Sequence, residues 1–184
     1  MLPFSHETKR FQLPGHLGRQ LSRKPLGGAL DVRLVEAKLE DSEHAQALVD
    51  LIDSYARGPG GQLAPLTPEA RANLVPGLRR HPSALVLLAV ADGEAAGAAV
   101  CFWGFSTFAG RLLLNIHDLV VFPQYQDRGI GSDLLAEAER LARERGCCKL
   151  TLEVHDTNAD AKRLYEKFGF GPWSPTTIYV TKRL

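Results

Sequence analysis

LVVFPQYQDRGIGS, residues 119–132, is the most informative part of this sequence. Its apolar beginning predicts a strand that ends at Pro123, and Gly129 and Gly131 open the helix that follows. The first turn of a helix leaves backbone N–H groups unpaired and carries about half a positive charge. Glycines at that point let a bulky anion approach the backbone, so the stretch predicts a phosphate-binding loop.

The spacing of the glycines excludes two common phosphate-binding motifs. A P-loop requires a Lys-Ser or Lys-Thr pair directly after its last glycine, and none follows here. A dinucleotide-binding fingerprint requires a Gly or Ala three residues after the second glycine, where this chain has Leu134. The pattern that remains is Q-x-x-G-x-G from Gln126 to Gly131, preceded by V-x-P at 121–123.

These two patterns together resemble the pyrophosphate loop of the GNAT superfamily of N-acetyltransferases. A second block, NADAKRLYEKFGF at 158–170, looks like the family's N-x-x-A-x-x-x-Y-x-x-x-G-F pattern. Its matching residues are Asn158, Ala161, Tyr165, Gly169 and Phe170. The resemblance covers roughly residues 30–184; the two blocks are specific, and the first half of the chain matches weakly.

Hydrophobic periodicity and turn residues predict the order of the elements. Pro76 lies deep in the second helix and predicts a kink or a short helix pair. The predicted elements are a strand at 29–38, helices from Asp41 or Ser42 to about Ala56 and from Thr67-Pro68 onward, a hairpin of 84–91 and 95–105, a strand at 111–122, a helix at 129–146, a strand at 148–154, a helix at 158–168 and a last strand at 176–181.

This order predicts an α/β fold of the α+β type, because hairpins come first and a crossover through a helix comes later. The resemblance implies a mixed, mostly antiparallel sheet with a V-shaped opening between two central parallel strands, flanked by about four helices. We assign residues 29–184 to an N-acetyltransferase domain. Residues 1–28 carry prolines and glycines without periodicity, which predicts an extended or partly disordered arm; a targeting role is the alternative.

The charge and hydrophobicity of the chain argue against some classes of binding partner. The net charge of +1 does not favour a polyanion, so we expect no nucleic-acid partner. No apolar run reaches the roughly 18 residues of a membrane helix, so we expect no membrane partner. Three cysteines form neither a disulfide framework nor a C-x-x-C metal motif, which favours a cytoplasmic protein without a metal.

The resemblance implies that acetyl-CoA lies in the opening between the strand that ends at Pro123 and the strand at 148–154. Backbone groups of Leu119, Val120 and Val121 would pair with the pantetheine arm. The Arg128 side chain would add positive charge, unless it is an ordinary surface residue. The implied cofactor-binding residues also include Gln126, Asp127, Gly129, Ile130, Gly131, Ser132, Asn158 and Tyr165.

The resemblance further places Tyr165 at the position of a general acid, with a core tyrosine as the alternative. His117 lies at a spacing that resembles the base of arylalkylamine acetyltransferases. It could instead contact substrate only, or be an ordinary strand histidine. Asn115 shares its face and, with His117 and Asp118, is a candidate for substrate binding. Successive strand residues face opposite sides, so His117 and Asp118 form no simple pair unless a bulge intervenes.

We therefore expect an acetyl-CoA-dependent N-acetyltransferase in which a primary amine of a small molecule or peptide attacks directly in a ternary complex. An acyl-CoA-binding module without turnover is the main alternative. The resemblance also implies that a homodimer could form by exchange of the last strand. Trp103, Phe105 and Phe108 are expected in the core, or in a wall of the acceptor site.

Overall fold

The structure is a computed structural model that describes residues 18–21, 30–171, 180 and 182. The chain divides into two compact units, Met1–Glu153 and Val154–Leu184, and each is described by itself. The first unit contains the sheet: β1 (Gly18–Leu21), β2 (Val32–Glu36), α1 (Ser42–Arg57), α2 (Pro68–Arg80), β3 (Ala84–Ala91), β4 (Glu94–Ser106), β5 (Arg111–Val121), a 3-10 turn (Pro123–Tyr125), α3 (Ile130–Glu144) and β6 (Leu150–Leu152). The second unit contains α4 (Ala159–Lys167).

The strands form one six-stranded sheet in the order β1-β2-β3-β4-β5-β6. Every neighbouring pair is antiparallel except β5 and β6, which are parallel. β6 pairs with β5 only from Leu114 to Ile116, while β5 continues along β4 to Val121. The predicted mixed sheet with an opening between two parallel strands is therefore confirmed. Of the last predicted strand, 176–181, only Val180 is among the described residues.

A β-bulge interrupts β5 at His117. Val100 of β4 pairs with Asp118, whereas the next residue, Cys101, pairs with Ile116, so His117 is an extra residue in the ladder. A bulge of this kind bends the strand and resets the alternation of its side chains. The bulge lies at the point where β6 stops following β5.

The two faces of the sheet pack on different helices. One, which we call the α1 face, carries Val100 of β4 and Val120 of β5 in a buried cluster with Leu48 and Leu51 of α1. The other, the α3 face, includes Gly97, where a Cβ atom would lie 3.2 Å from Ile130 Cγ2 and 2.8 Å from Val120 O. Glycine at that position lets α3 pack closely on the sheet.

Local sequence signals explain most element boundaries. The Asp41 side chain caps α1 by accepting from the N–H groups of Glu43 and His44, and Thr67 caps α2 at Ala70. Asp92 and Gly93 have φ angles of 50° and 87°, and positive φ at both central residues is typical of the type I′ hairpin turn. These predictions are confirmed.

Two alternatives expected for the described residues are wrong, and one region was not foreseen. α2 runs through Pro76 as a single helix rather than a short helix pair; none of its residues is buried, so water can solvate the carbonyl group that the proline leaves unpaired. Phe105 and Phe108 are 60% and 104% exposed rather than in the core. Gly18–Leu21, inside the predicted arm, pairs with β2 as an edge strand; the other residues of 1–28 lie outside the described residues.

Gly61 provides a test of the connection between α1 and α2. A Cβ atom at Gly61 would lie 2.3 Å from Tyr55 O and 2.7 Å from Ala56 Cα, which are backbone atoms that cannot move aside cheaply. We expect Gly61→Ala to destabilise the fold by about 2 kcal/mol, the usual cost of overpacking, and to lower the Tm by roughly 4–8 °C.

Gly77→Ala is the matched control for this measurement. A Cβ atom at Gly77, in α2, meets no atom within 4 Å. The substitution should raise the stability by about 0.5–1 kcal/mol, because alanine is the better helix former. Equal Tm values for both variants in thermal denaturation would contradict the close packing of the loop on Tyr55.

Candidate functional site

The N-terminus of α3 has the geometry of an anion-binding site. Gly129 precedes the helix with a φ of 83°, and no side chain caps this end. The first intrahelical bond runs from Asp133 N–H to Gly129 O at 3.0 Å. The N–H groups of Ile130, Gly131 and Ser132 therefore lack an acceptor within the helix and can bind an anion.

Side-chain hydrogen bonds hold the loop before α3 against the sheet. Gln126 Nε2 donates to Val121 O at 3.1 Å, so this side chain returns to the end of β5. Tyr125 OH donates to Glu94 Oε2 at 2.9 Å, which joins the loop to the start of β4. The motif contains Gln126 but does not identify the second contact, because Tyr125 and Glu94 are 31 residues apart in the chain.

The loop exposes two opposite charges. Asp127 and Arg128 are both exposed and adjacent in sequence. Asp127 has a φ of 57°, in the left-handed region that aspartate tolerates better than most residues other than glycine. The backbone of the loop suits an anion, while its side chains contribute one charge of each sign.

The edge of β5 that faces the opening begins directly after Ile116. Leu119, Val120 and Val121 pair with β4 on one side, and among the described strands none pairs with their other side. Asn115 bridges the two parallel strands just before they part, since its Nδ2 donates to Thr151 Oγ1 at 3.1 Å. This edge of β5 can accept an extended ligand as an additional strand.

The bulge brings His117 and Asp118 to the same face of the sheet. Asp118 pairs with Val100, which lies on the α1 face, and the His117 ring lies 5.6 Å from the ring of Phe102 on that face. The expectation of opposite faces applied to a strand without a bulge, and the inserted residue is the exception that it named. Asn115 pairs with Phe102 and shares this face, as predicted.

On the α1 face, aromatic side chains lie near His117, and partial burial disfavours the ionised form of the Asp118 carboxyl group. The His81 ring lies 4.8 Å from Phe102 in an edge-on arrangement. Burial raises the pKa of Asp118, and a positive charge on His117 would oppose this shift. Burial, followed by the charge of Asp118, also raises the pKa of Tyr55.

The charge of Asp118 also affects the buried thiol of Cys101. Burial and then the charge of Asp118 raise the pKa of this thiol to about 12, so it is protonated at neutral pH. A protonated, fully buried thiol is a poor nucleophile.

Sequence reasoning singled out neither Tyr55 nor Phe102 for the site. Helical periodicity could place Tyr55 only on the inner face of α1.

Tyr165 belongs to the second unit, where both ends of α4 are capped. Asn158 Oδ1 accepts from Ala161 N–H at 3.1 Å and forms the N-cap. At the other end, Gly169 has a φ of 77°, and Phe170 N–H donates to Tyr165 O at 3.1 Å. These contacts form a Schellman motif, and the rings of Tyr165 and Phe170 lie 5.8 Å apart. The second sequence block therefore corresponds to a capped helix with a buried Tyr165.

Other features of the described residues lie outside this site. A cavity of about 390 Å³ between β2 and α3 is lined by residues such as Glu36, Glu137 and Arg140, and contains none of the predicted site residues. Within the described ranges, no group of three or more His, Cys, Asp or Glu side chains could hold a metal ion. No helix in the described part of the chain is long and apolar enough to cross a bilayer.

Comparison with known proteins gives a consistent result. A family model described as the acetyltransferase (GNAT) family matches residues 45–170. Thialysine N-epsilon-acetyltransferase of Mus musculus is 34% identical over 84 residues, which cover 43% of this chain and 49% of that protein. Streptothricin acetyltransferase of Streptomyces lavendulae is 41% identical over 80 residues, covering 44% and 40%. The chain thus spans half or less of the length of these two relatives.

A solved structure supports the fold over a larger part of the chain. The crystal structure of a probable acetyltransferase superposes with a TM-score of 0.70, covering 83% of this chain and 98% of that one. The sequence identity is 22%, so this likeness shows the fold alone.

The partly buried carboxyl group of Asp118 should lower stability at neutral pH. Because its pKa is raised on folding, stability is lost as pH rises from the unfolded value near 3.9 through the folded value. We expect Asp118→Asn to stabilise the fold by about 1 kcal/mol at pH 7 and to have no such effect near pH 3. Thermal denaturation at both pH values measures the difference.

Asp53→Asn is the matched control, because the pKa of Asp53 is shifted in the opposite direction. Burial opposes ionisation of Asp53, but the N–H of Leu66 and the guanidinium groups of Arg57 and Arg71 together hold its pKa below the usual value. This substitution should therefore destabilise the protein at pH 7. A loss of stability in both variants would mean that Asp118 is paired and well solvated.

Proposed function

Because the chain belongs to the acetyltransferase (GNAT) family, whose model matches residues 45–170, we propose that it transfers the acetyl group of acetyl-CoA to a primary amine. The acceptor would be a small molecule or a peptide. The observation that carries the proposal is the uncapped N-terminus of α3, which follows the open edge of β5 within one continuous segment. An anion-binding helix end next to an unpaired strand edge suits a ligand that carries a pyrophosphate and an amide-containing arm.

The proposed cofactor contacts are mainly backbone contacts. The edge of Leu119, Val120 and Val121 would pair with the pantetheine amides. The N–H groups from Gln126 to Ser132 would hold the pyrophosphate, and Arg128 would add positive charge. In the second unit, Asn158 and Tyr165 complete the proposed contacts; the amide oxygen of Asn158 is already the N-cap of α4.

The proposed chemistry needs a proton acceptor and a proton donor. Bound acetyl-CoA would supply the thioester carbonyl that the amine attacks, forming the C–N bond and breaking the C–S bond. His117 would take the proton from the amine, because imidazole is the side chain suited to proton transfer near neutral pH. The hydroxyl of Tyr165 would donate a proton to the leaving thiolate. Because Cys101 is a poor nucleophile, the proposal needs no acetyl-enzyme.

Asp118 and Asn115 are proposed to contact the acceptor. A primary alkylamine is mostly protonated near neutral pH, and a carboxylate of low solvation attracts such a cation strongly. The aromatic rings of Phe102 and Tyr55 support cation binding, since aromatic faces attract ammonium groups. The Nδ2 of Asn115 already donates to Thr151, so its Oδ1 would be the group that contacts substrate.

A cytoplasmic location also belongs to this proposal. It is supported by the cysteines Cys101, Cys147 and Cys148, which are all free thiols in the described part of the chain. Free thiols are usual in a reducing compartment.

Tyr165→Phe tests the proposed reaction. The full chain is incubated with acetyl-CoA and a panel of primary amines, and released thiol is measured alongside acetyl-CoA binding by calorimetry. Wild type should bind acetyl-CoA and release thiol only with an amine. Tyr165→Phe should lower kcat by about 10²–10⁴-fold with little change in acetyl-CoA affinity, because the phenol acts on the leaving group.

The same experiment separates the alternatives. Acetyl-CoA binding without thiol release for any amine would identify a binding module. Absence of acetyl-CoA binding would remove the proposal altogether. Gly131→Trp is the control for the loop: it should abolish acetyl-CoA binding in a folded protein, because the indole would fill the approach to the helix N-terminus.

His117→Gln tests the proposed base through the pH dependence of the rate. With saturating acetyl-CoA, the wild-type rate should rise with pH across the range in which imidazole groups generally lose their proton. Glutamine can position water but cannot take the proton at this pH, so the rate of the variant should no longer rise with pH over this range. His81→Gln is the matched control, since His81 also contacts Phe102 but has no proposed role in proton transfer. If folded His117→Gln keeps the same rise of the rate with pH, His117 is not the base and is an ordinary strand residue.

A further inference from the structure

The hairpin between β4 and β5 exposes a group of large apolar side chains. Phe105 and Leu112 pair across the two strands and are 60% and 38% exposed, and Phe108 in the turn is 104% exposed. Phe105, Phe108 and Leu112, which we call the hairpin tip, account for three of the five exposed large hydrophobic residues in the described part of the chain. Exposed apolar patches commonly mark interaction sites.

The hairpin tip projects beyond the neighbouring strand. The first residue of β3, Ala84, pairs with Phe102, so β4 extends past β3 from Trp103 to Ser106. On the other side, residues 146–148 accompany the start of β5, because Cys148 N–H donates to Leu112 O at 2.8 Å. The hairpin therefore extends beyond β3 alone, and the fully exposed Phe108 lies in its turn.

Basic residues lie in and beside the hairpin, within two segments that contain no acidic residue. Residues 95–117 and 145–152 contain no Asp or Glu. Arg111 Nη2 donates to Gly146 O at 3.2 Å, and the Arg145 guanidinium lies 4.4 Å from the centre of the Trp103 ring. Lys149 lies beside β5, because its carbonyl accepts from Leu114 N–H at 3.2 Å.

We propose that the hairpin tip docks on the surface of an anionic lipid bilayer. Phe105, Phe108 and Leu112 would enter the interface between headgroups and acyl chains, while Arg111, Arg145 and Lys149 would face lipid phosphates. Apolar insertion together with electrostatic attraction to anionic lipids is the usual basis of such binding. A second copy of the chain fits less well, because two tips would bring like charges together.

Docking at this place would leave the proposed cofactor loop accessible. β5 is 11 residues long, and the tip lies at its first end while the loop follows its last. At about 3.3 Å per residue, the two features are roughly 35 Å apart. The inference goes beyond the proposed acetyltransferase activity and does not depend on it. It departs from the expectation of no membrane partner, which rested on the absence of an apolar run long enough to span a bilayer.

Vesicle co-sedimentation of the full chain tests the proposal. Phosphatidylcholine vesicles are compared with vesicles that contain a substantial fraction of phosphatidylglycerol. Wild type should bind the anionic vesicles, and binding should weaken with added salt because salt screens surface charge. Phe105→Ser/Phe108→Ser should reduce the partition coefficient at least about tenfold, from the loss of two buried rings. Phe108→Ser alone, in the fully exposed turn, should also reduce binding and cannot disturb a core.

Two further variants sharpen the result. Lys149→Ala should weaken binding to anionic vesicles about fivefold, the equivalent of roughly 1 kcal/mol for one basic residue near the surface. Leu63→Ser is the matched control: Leu63 is 75% exposed but lies in the α1–α2 connection, so its loss should leave vesicle binding unchanged.

Several results would overturn the proposal. These are the absence of vesicle binding, equal binding to neutral and anionic vesicles, or wild-type binding by the Phe105→Ser/Phe108→Ser variant. Light scattering that shows a wild-type dimer dissociated by the same substitutions would assign the tip to a second copy. A raised KM for the amine with unchanged vesicle binding would instead assign the tip to a wall of the acceptor site.

Discussion

The backbone hydrogen bonding of β5 is the constraint on which the candidate site depends. A strand can satisfy both edges only while both neighbours follow it, and β6 follows β5 no further than Ile116. At the next residue the ladder to β4 accommodates the extra residue His117. The bulge and the parting of the strands thus coincide, and together they leave the edge of β5 available just before the chain turns into α3.

The same bulge determines which side chains share the α1 face. Regular pairing through residues 116–118 would direct Asp118 toward α3. The extra residue instead directs it toward α1, where it pairs with Val100 and raises the pKa of Tyr55. Among the described residues, no arginine shifts the pKa of Asp118, whereas Arg57 and Arg71 act on Asp53. The two aspartates therefore differ in character: Asp53 accepts from Leu66 N–H and stabilises a loop, whereas burial raises the pKa of Asp118.

Much of the fold could be predicted because its signals are local. Caps such as Thr67, the Asp92-Gly93 turn and the apolar faces of α1 and α3 each depend on a few neighbouring residues. The bulge could not be predicted, since β5 contains no glycine and its alternation is compatible with either register. The exposure of Phe105 and Phe108 could not be predicted either. An apolar residue is buried only where another layer covers it, and the sequence does not show which residues are covered. The aromatic surroundings of His117 come from Phe102 and His81, which only the tertiary structure brings near.

The position of the bulge determines where a single residue can be deleted from β5 or inserted into it. Without residue 117, the remaining residues of β5 would alternate regularly, and each would keep the face it has now. Loss of a codon away from residues 117 and 118 would turn part of the strand over and move apolar side chains to the wrong layer. A deletion of three nucleotides at codon 117 is thus the change that removes the imidazole and leaves the rest of the strand in place. By the reverse insertion, a regular strand of this kind can acquire a histidine at the mouth of the opening without disturbing its core.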